Sequence, residues 1–256
     1  MNETVVIWGL GQLGGTFAHA SLRLGYSVRP ITRTTDAKRV AEEIPAPRLV
    51  LIAVGEDDLG PVLSQLPPSW RGRVALLQNE LVPQRWQAQA VADPSVCIVW
   101  FEKKAHGPLR VVLPSVCYGP NAQLLHDALE ALAIPVRIIS QPSELHFELA
   151  LKNLYVLTIN CAGLMVDADV GTLWREHHEA TCAIASDLIE LQSALIAAPL
   201  DQARLMRGLE HAILADPRHV SKGRTAPARL TRCLAHADRL GLELPALRRL
   251  SAAGQP

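Results

Sequence analysis

The chain has 256 residues, 49 % of them hydrophobic and 20 % charged, which is ample for a buried core and too apolar for a disordered chain. Lysine plus arginine number 25 and aspartate plus glutamate 25, so the formal net charge is zero and nothing favours nucleic acid or an anionic membrane as partner. No segment approaches the roughly 18 uninterrupted apolar residues of a membrane span, and the first apolar run leads into a glycine-rich turn where a signal peptide would have its cleavage site, so a cytoplasmic protein is expected.

In chain order, short β-branched runs predict strands at residues 4–8, 27–32, 49–54, 74–77, 96–101, 110–117 and 136–139. Helical patterns fall between them at residues 14–24, 37–43 and 124–132. Alternation of this kind is the signature of crossover connections and a parallel sheet. From Pro142 the pattern turns helical, over residues 143–165, 172–198, 201–215 and 226–240, punctuated by Pro199, Pro217, Gly223 and Pro245. The expected fold is α/β, an N-terminal Rossmann doubly wound parallel sheet over residues 1–141 followed by an all-α domain over residues 142–256. Helix 172–198 is apolar enough to support a homodimer, although a buried intramolecular helix reads the same way.

Between the first strand and the first helix stands Gly9-Leu10-Gly11-Gln12-Leu13-Gly14-Gly15, a GxGxxG pattern in a strand-to-helix setting. In a dinucleotide site Gly9 makes the tight turn, Gly11 admits the pyrophosphate to the backbone, and Gly14 lets the helix pack closely. The phosphates are received by the open N–H groups and positive dipole end of the helix. The end of the second strand selects the cofactor, because an acid there would bind the adenine ribose diol of NAD. Here it reads Ile31-Thr32-Arg33-Thr34-Thr35, and a cation beside two hydroxyls suits the 2′-phosphate of NADP(H) better. Asp36 dissents, one step late, where it could equally cap the next helix.

These features are joined by Gln78-Asn79 after a strand, Lys152 on a helix with Asn160 eight residues on, and Gly241-Leu242-Glu243-Leu244-Pro245 after a helix. Together they resemble the ketopantoate reductase family, within the 6-phosphogluconate-dehydrogenase-like oxidoreductases. The resemblance spans nearly the whole chain and implies an active site in a cleft between a Rossmann and a helical domain. It also implies that Asn79 lies near the nicotinamide end of NADP(H), and that Lys152 binds or protonates the substrate carbonyl. Asn79 read alone could be a turn residue bonding its own backbone. Lys152, flanked by Leu149, Leu151, Leu154 and Val156, either snorkels outward or points into a cleft where desolvation would make it a better acid. Asn160 lies about 80° round the helix from it and could orient the substrate or serve an interhelical role.

Three positions depart from the family pattern. Val156 replaces a second helix asparagine, Gly55 a lysine after the third strand, and Thr225, in Ser221-Lys222-Gly223-Arg224-Thr225, the acid that partners catalysis. The expected activity is therefore NADPH-dependent hydride transfer to a 2-keto acid or similar small carbonyl compound. The alternative is a non-catalytic NADP(H)-binding redox sensor on a degraded reductase fold. No metal is expected: His177-His178 are adjacent and point apart on a helix. The five cysteines, widely spaced with no CxxC, read as reduced, mostly buried small hydrophobes. In Trp100-Phe101-Glu102-Lys103-Lys104 the rings are expected to pack on the sheet, with the lysines solvated or facing the cleft.

Overall fold

In the computed structural model, which describes residues 3–103 and 107–253, the run Val5-Val6-Ile7 is buried on both faces in β1 (Thr4–Trp8). It is followed by α1 (Gln12–Arg23), β2 (Ser27–Ile31), α2 (Ala37–Glu43), β3 (Leu49–Ile52) and α3 (Glu56–Ser64). A 3-10 turn (Pro68–Arg73) then leads to β4 (Val74–Leu76), α4 (Pro83–Gln87) and β5 (Ser95–Ile98). Asp36 caps α2, its carboxylate accepting from the N–H groups of Lys38 and Arg39. The same element order continues through β6 (Phe101–Lys103), β7 (Leu109–Val111), β8 (Ser115–Tyr118), α5 (Ala122–Glu130) and β9 (Val136–Ile138).

The main sheet has the order β2-β1-β3-β4-β5-β8-β9. It is parallel from β2 to β5, as alternation predicts, but β8 pairs antiparallel with β5 before pairing parallel with β9. The reason lies in residues 99–114. Both predicted strands there, 96–101 and 110–117, break, and their inner ends form a separate two-stranded ribbon, β6 with β7. Trp100 sits at the break, fully buried, its N–H donating to Ser115 Oγ and its carbonyl accepting from Val112 N–H, while Pro114 has no N–H to extend a ladder. The chain thus turns back on itself and re-enters the sheet in the opposite sense. Phe101 is buried as well, Lys103 Nζ donates to the Gly107 carbonyl, and Lys104 lies outside the described residues.

Side chains from both halves of the sheet share one core, in which Val5, Ile7, Leu49, Leu51 and Ala75 meet Cys97, Cys117 and Leu125. Cys97 and Cys117 face each other across the antiparallel seam with sulfurs 3.9 Å apart, and this contact together with burial pushes the Cys97 thiol well up. All five cysteines are free thiols, Cys182 half-buried and the other four buried.

Residues 1–145 and 146–256 form two compact units. The division falls inside α6 (Pro142–Ala162), four residues beyond the proline where the helical pattern begins. The helical unit continues with α7 (Val170–Glu176), α8 (His178–Ile196), α9 (Gln202–Ala215), α10 (Ala226–Leu240) and α11 (Pro245–Ala253). The expected helix 172–198 is two helices, because His177 leaves helical geometry at φ −121° and ψ 30°. Asp169 caps α7 through Thr172 N–H, and that bond holds its carboxyl below the usual range.

Within the unit α6 packs so closely on α9 that a Cβ at Gly208 would lie 2.7 Å from Leu151. Asn153 donates to Gln192 on α8. The Gly241-to-Pro245 segment is the α10–α11 connection, pinned by Arg248, which donates to Asp238 and to the Leu242 and Glu243 carbonyls. Buried Asp187 on α8 caps α11 from outside, accepting from Leu247 N–H at 3.0 Å. Asp187→Ala leaves that buried donor unpaired and is expected to cost about 1–2 kcal/mol, read as a lowered urea midpoint with the slope unchanged.

Candidate functional site

The glycine turn has a geometry that only glycine satisfies at two of its three positions. Gly9 has φ +100°, and a Cβ there would lie 2.6 Å from the Ala53 carbonyl oxygen at the end of β3. A Cβ at Gly14 would lie 1.9 Å from the Gly9 carbonyl oxygen, so α1 can start this close to β1 only because Gly14 has no side chain. At Gly11 a Cβ would meet no protein atom within 4 Å. The space above Gly11 is therefore open, as a ligand pressed against the backbone requires.

Gly11 caps α1 without a side-chain hydrogen bond, the first turn carries no acid, and the first intrahelical bond runs from Gly15 N–H to the Gly11 carbonyl. The N–H groups of Gln12, Leu13 and Gly14 thus have no helical acceptor, which makes this end an anion-binding one. Leu10, Gly11 and Gln12 are exposed and Leu13 half-buried.

A cleft of about 570 Å³ opens beside the turn. Gly9, Leu10 and Gly11 form one side, Thr32, Arg33 and Thr35 a second, and Gly55, Asp58, Pro61 and Val62 from α3 a third. Arg33 stands almost fully exposed, 3.7 Å from Asp58. The Thr35 hydroxyl accepts from Thr32 N–H and lies 3.0 Å from the Thr32 hydroxyl, so the tight turn presents these groups on one surface. Asp36, occupied in capping α2, does not line the cleft.

Gln78 is buried and clamps the carboxyl ends of two strands, its Nε2 donating to the Ile52 and Val54 carbonyls while Oε1 accepts from Leu77 N–H. Asn79 follows, half-buried, at that same edge of the sheet but outside the cleft lining. Its neighbour Glu80 is tied to α3 through Glu56, which accepts from Glu80 N–H.

In the helical unit Lys152 is half-buried on α6, its Nζ 6.0 Å from the Tyr155 ring centroid. Val156 and Asn160, one and two turns on, are buried. Asn160 donates to the Val156 carbonyl at 2.9 Å, and its Oδ1 has no hydrogen-bond partner. That oxygen is directed at the loop predicted from Ser221-Lys222-Gly223-Arg224, 3.5 Å from where a Gly223 Cβ would stand. Ser221 donates to the Ala168 carbonyl, so its hydroxyl anchors the loop.

No family model matches the sequence, and no curated protein matches it either. Solved structures do match. A PanE/ApbA family ketopantoate reductase from Ralstonia eutropha JMP134 aligns over 98 % of this chain and 96 % of its own with a TM-score of 0.71 at 17 % identity. The chain has the ketopantoate reductase fold. A dimeric ketopantoate reductase from Staphylococcus aureus, with a TM-score of 0.66 at 13 % identity, covers 97 % of this chain and 96 % of its own. A D-mandelate dehydrogenase described in complex with NADH reaches 0.68 at 13 % identity over the same shares.

Beside the glycine turn stand features that the sequence alone does not announce. Asp58 enters the cleft because α3, an element hidden in sequence by Gly60 and Pro61, begins immediately after β3. Among the described residues, His126, Asp127 and Glu130 on α5 come within metal-ligand distance of one another. His126 Nδ1 is 3.2 Å from Asp127 and 3.8 Å from Glu130, the spacing of a partly exposed helical ion-pair cluster. His178 packs edge-on against Trp174 and lies 3.5 Å from Cys182. Burial, with the Glu210 charge adding, raises the Cys182 thiol, the opposite of an activated nucleophile.

Proposed function

We propose that the protein is an NADPH-dependent reductase that transfers hydride to a 2-keto acid or similar small carbonyl compound. The observation that carries the reading is the glycine turn, in which Gly9 and Gly14 admit no side chain and Gly11 leaves open space at the N-terminus of α1, on a ketopantoate reductase fold. The turn fits a dinucleotide pyrophosphate, which Gly9, Leu10, Gly11, Gln12, Leu13 and Gly14 would hold by backbone N–H groups. Arg33, with Thr34 and Thr35, would take the 2′-phosphate. The nicotinamide supplies the hydride when bound.

The chain's own part in the chemistry is charge and orientation. Asn79, at the carboxyl edge of the sheet, would fix the nicotinamide ribose. Lys152, half-buried on α6, would give its proton to the carbonyl oxygen as negative charge develops there. Asn160, two turns beyond Lys152 on α6, would orient the substrate. A homodimer and a cytoplasmic setting belong to the same reading.

Purified protein is expected to oxidise NADPH in the presence of at least one member of a panel of 2-keto acids, followed by loss of absorbance at the reduced nicotinamide band. Tight NADPH binding with no substrate-dependent oxidation across the panel would instead establish the second reading, a non-catalytic redox sensor. That reading draws on Val156, a buried apolar side chain one turn from Lys152.

A further inference from the structure

Asp58 lines the same cleft as the glycine turn, with its carboxylate 3.7 Å from the guanidinium of Arg33. It belongs to the first turn of α3, which carries Glu56, Asp57 and Asp58 and no side-chain cap, whereas the first turn of α1 carries no acid. Two helices therefore begin at this edge of the sheet with opposite electrostatic character. The α1 end attracts phosphate, and the acids of α3 cancel the attraction its own dipole would provide.

We propose that Asp58 is a second cofactor-selecting residue, which lowers the preference for NADPH over NADH that Arg33 creates; this rests on the dinucleotide reading above. Arg33 has five donors and can face a phosphate and a carboxylate together, but the two anions then share one cation and repel each other. A 2′-phosphate carries close to two negative charges, so it meets the larger penalty. A free 2′-hydroxyl meets none and finds in Asp58 an acceptor for its proton, the role that an acid at the end of the second strand plays in an NAD site. Asp36 does not line the cleft, and its Oδ1 is taken up by the backbone of α2. The acid that would recognise a ribose diol thus comes from α3, and the cleft carries determinants for both cofactors.

The test is titration of NADPH and NADH into the wild-type protein, Asp58→Asn, Asp58→Ser and Asp58→Glu, followed by nicotinamide fluorescence, with thermal unfolding of each variant as a control on folding. Asp58→Asn is expected to tighten NADPH about fivefold, the size of one exposed like-charge contact, and to weaken NADH by a similar factor. Asp58→Ser should reproduce the NADPH gain, and Asp58→Glu should leave the ratio near wild type. Because the contact is exposed, the NADPH gain should shrink as salt rises from 0.05 to 0.5 M, which a change in cleft shape would not do. An unchanged NADPH-to-NADH ratio in both neutral variants, or equal shifts for both cofactors, overturns the proposal while leaving the dinucleotide site standing. Failure of the wild-type protein to bind either cofactor overturns both.

Discussion

Alanine at Gly11 is expected to leave the protein as stable as before and unable to hold NADPH, whereas alanine at Gly14 is expected to damage the fold itself. The backbone at Gly11 has φ −69° and ψ −166°, a conformation open to any residue, and its added Cβ would touch no protein atom. Its effect on stability should stay within about 0.5 kcal/mol, with the reduced freedom of the unfolded chain acting in its favour. The methyl group does, however, stand where a pyrophosphate must approach the backbone, and NADPH affinity should fall at least about tenfold, or 1.4 kcal/mol. At Gly14 the new Cβ would lie 1.9 Å from the Gly9 carbonyl oxygen, a backbone atom with no rotamer to change. Either α1 withdraws from β1 or the turn opens, at a cost of about 1–3 kcal/mol or more. Thermal unfolding and NADPH fluorescence titration on the two variants separate these outcomes. Wild-type NADPH affinity in Gly11→Ala would remove the turn from the binding site.

Removing the Lys152 ammonium is expected to reduce kcat about 10²- to 10³-fold with NADPH affinity unchanged. The magnitude is that of one positioned proton donor or oxyanion partner. The division between chemistry and binding follows from where the residue is, on α6 in the helical unit, while the turn and the cleft lie wholly in residues 1–145. Lys152→Ala removes a half-buried aliphatic stem, so a fold control by circular dichroism accompanies the kinetics. Lys152→Arg, which keeps the charge but binds its proton far more tightly, should recover substrate binding better than turnover. Full turnover in Lys152→Ala would place the proton donor elsewhere.

The glycine turn is legible in sequence because its requirements are local: a positive φ at Gly9 and two exclusions of a Cβ within six residues of chain. The same holds for α2, whose start is announced by Asp36 and whose bounds follow from the helical period. The seam between β5 and β8 is not legible, since a β-branched run reads the same whichever way its neighbour points. Its cause is spread over Trp100, Pro114 and Ser115, which meet only once the chain has turned. The break at His177 is hidden because no glycine or proline marks it and the polar run Arg175-Glu176-His177-His178-Glu179 reads equally well as the solvated face of one continuous helix. In the site, Arg33 could be read from its place at the end of a strand. Asp58 could not, because its meaning depends on how α3 lies against the loop after β2.

The open margins of the sheet bear on how copies of this chain can meet. Along β2, Ser27 N–H donates to Glu3 and the Ile31 carbonyl accepts from Gly9 N–H, so odd-numbered residues bond inward to β1 and even-numbered ones face the outer margin. Pro30 falls on that outer margin and removes a donor that an added strand would need. At the other margin β9 has only three residues. Strand-by-strand growth into a continuous sheet, the route to fibrous aggregates, is thus opposed at both ends. Self-association of this chain is steered away from backbone ladders and toward side-chain packing on its helices.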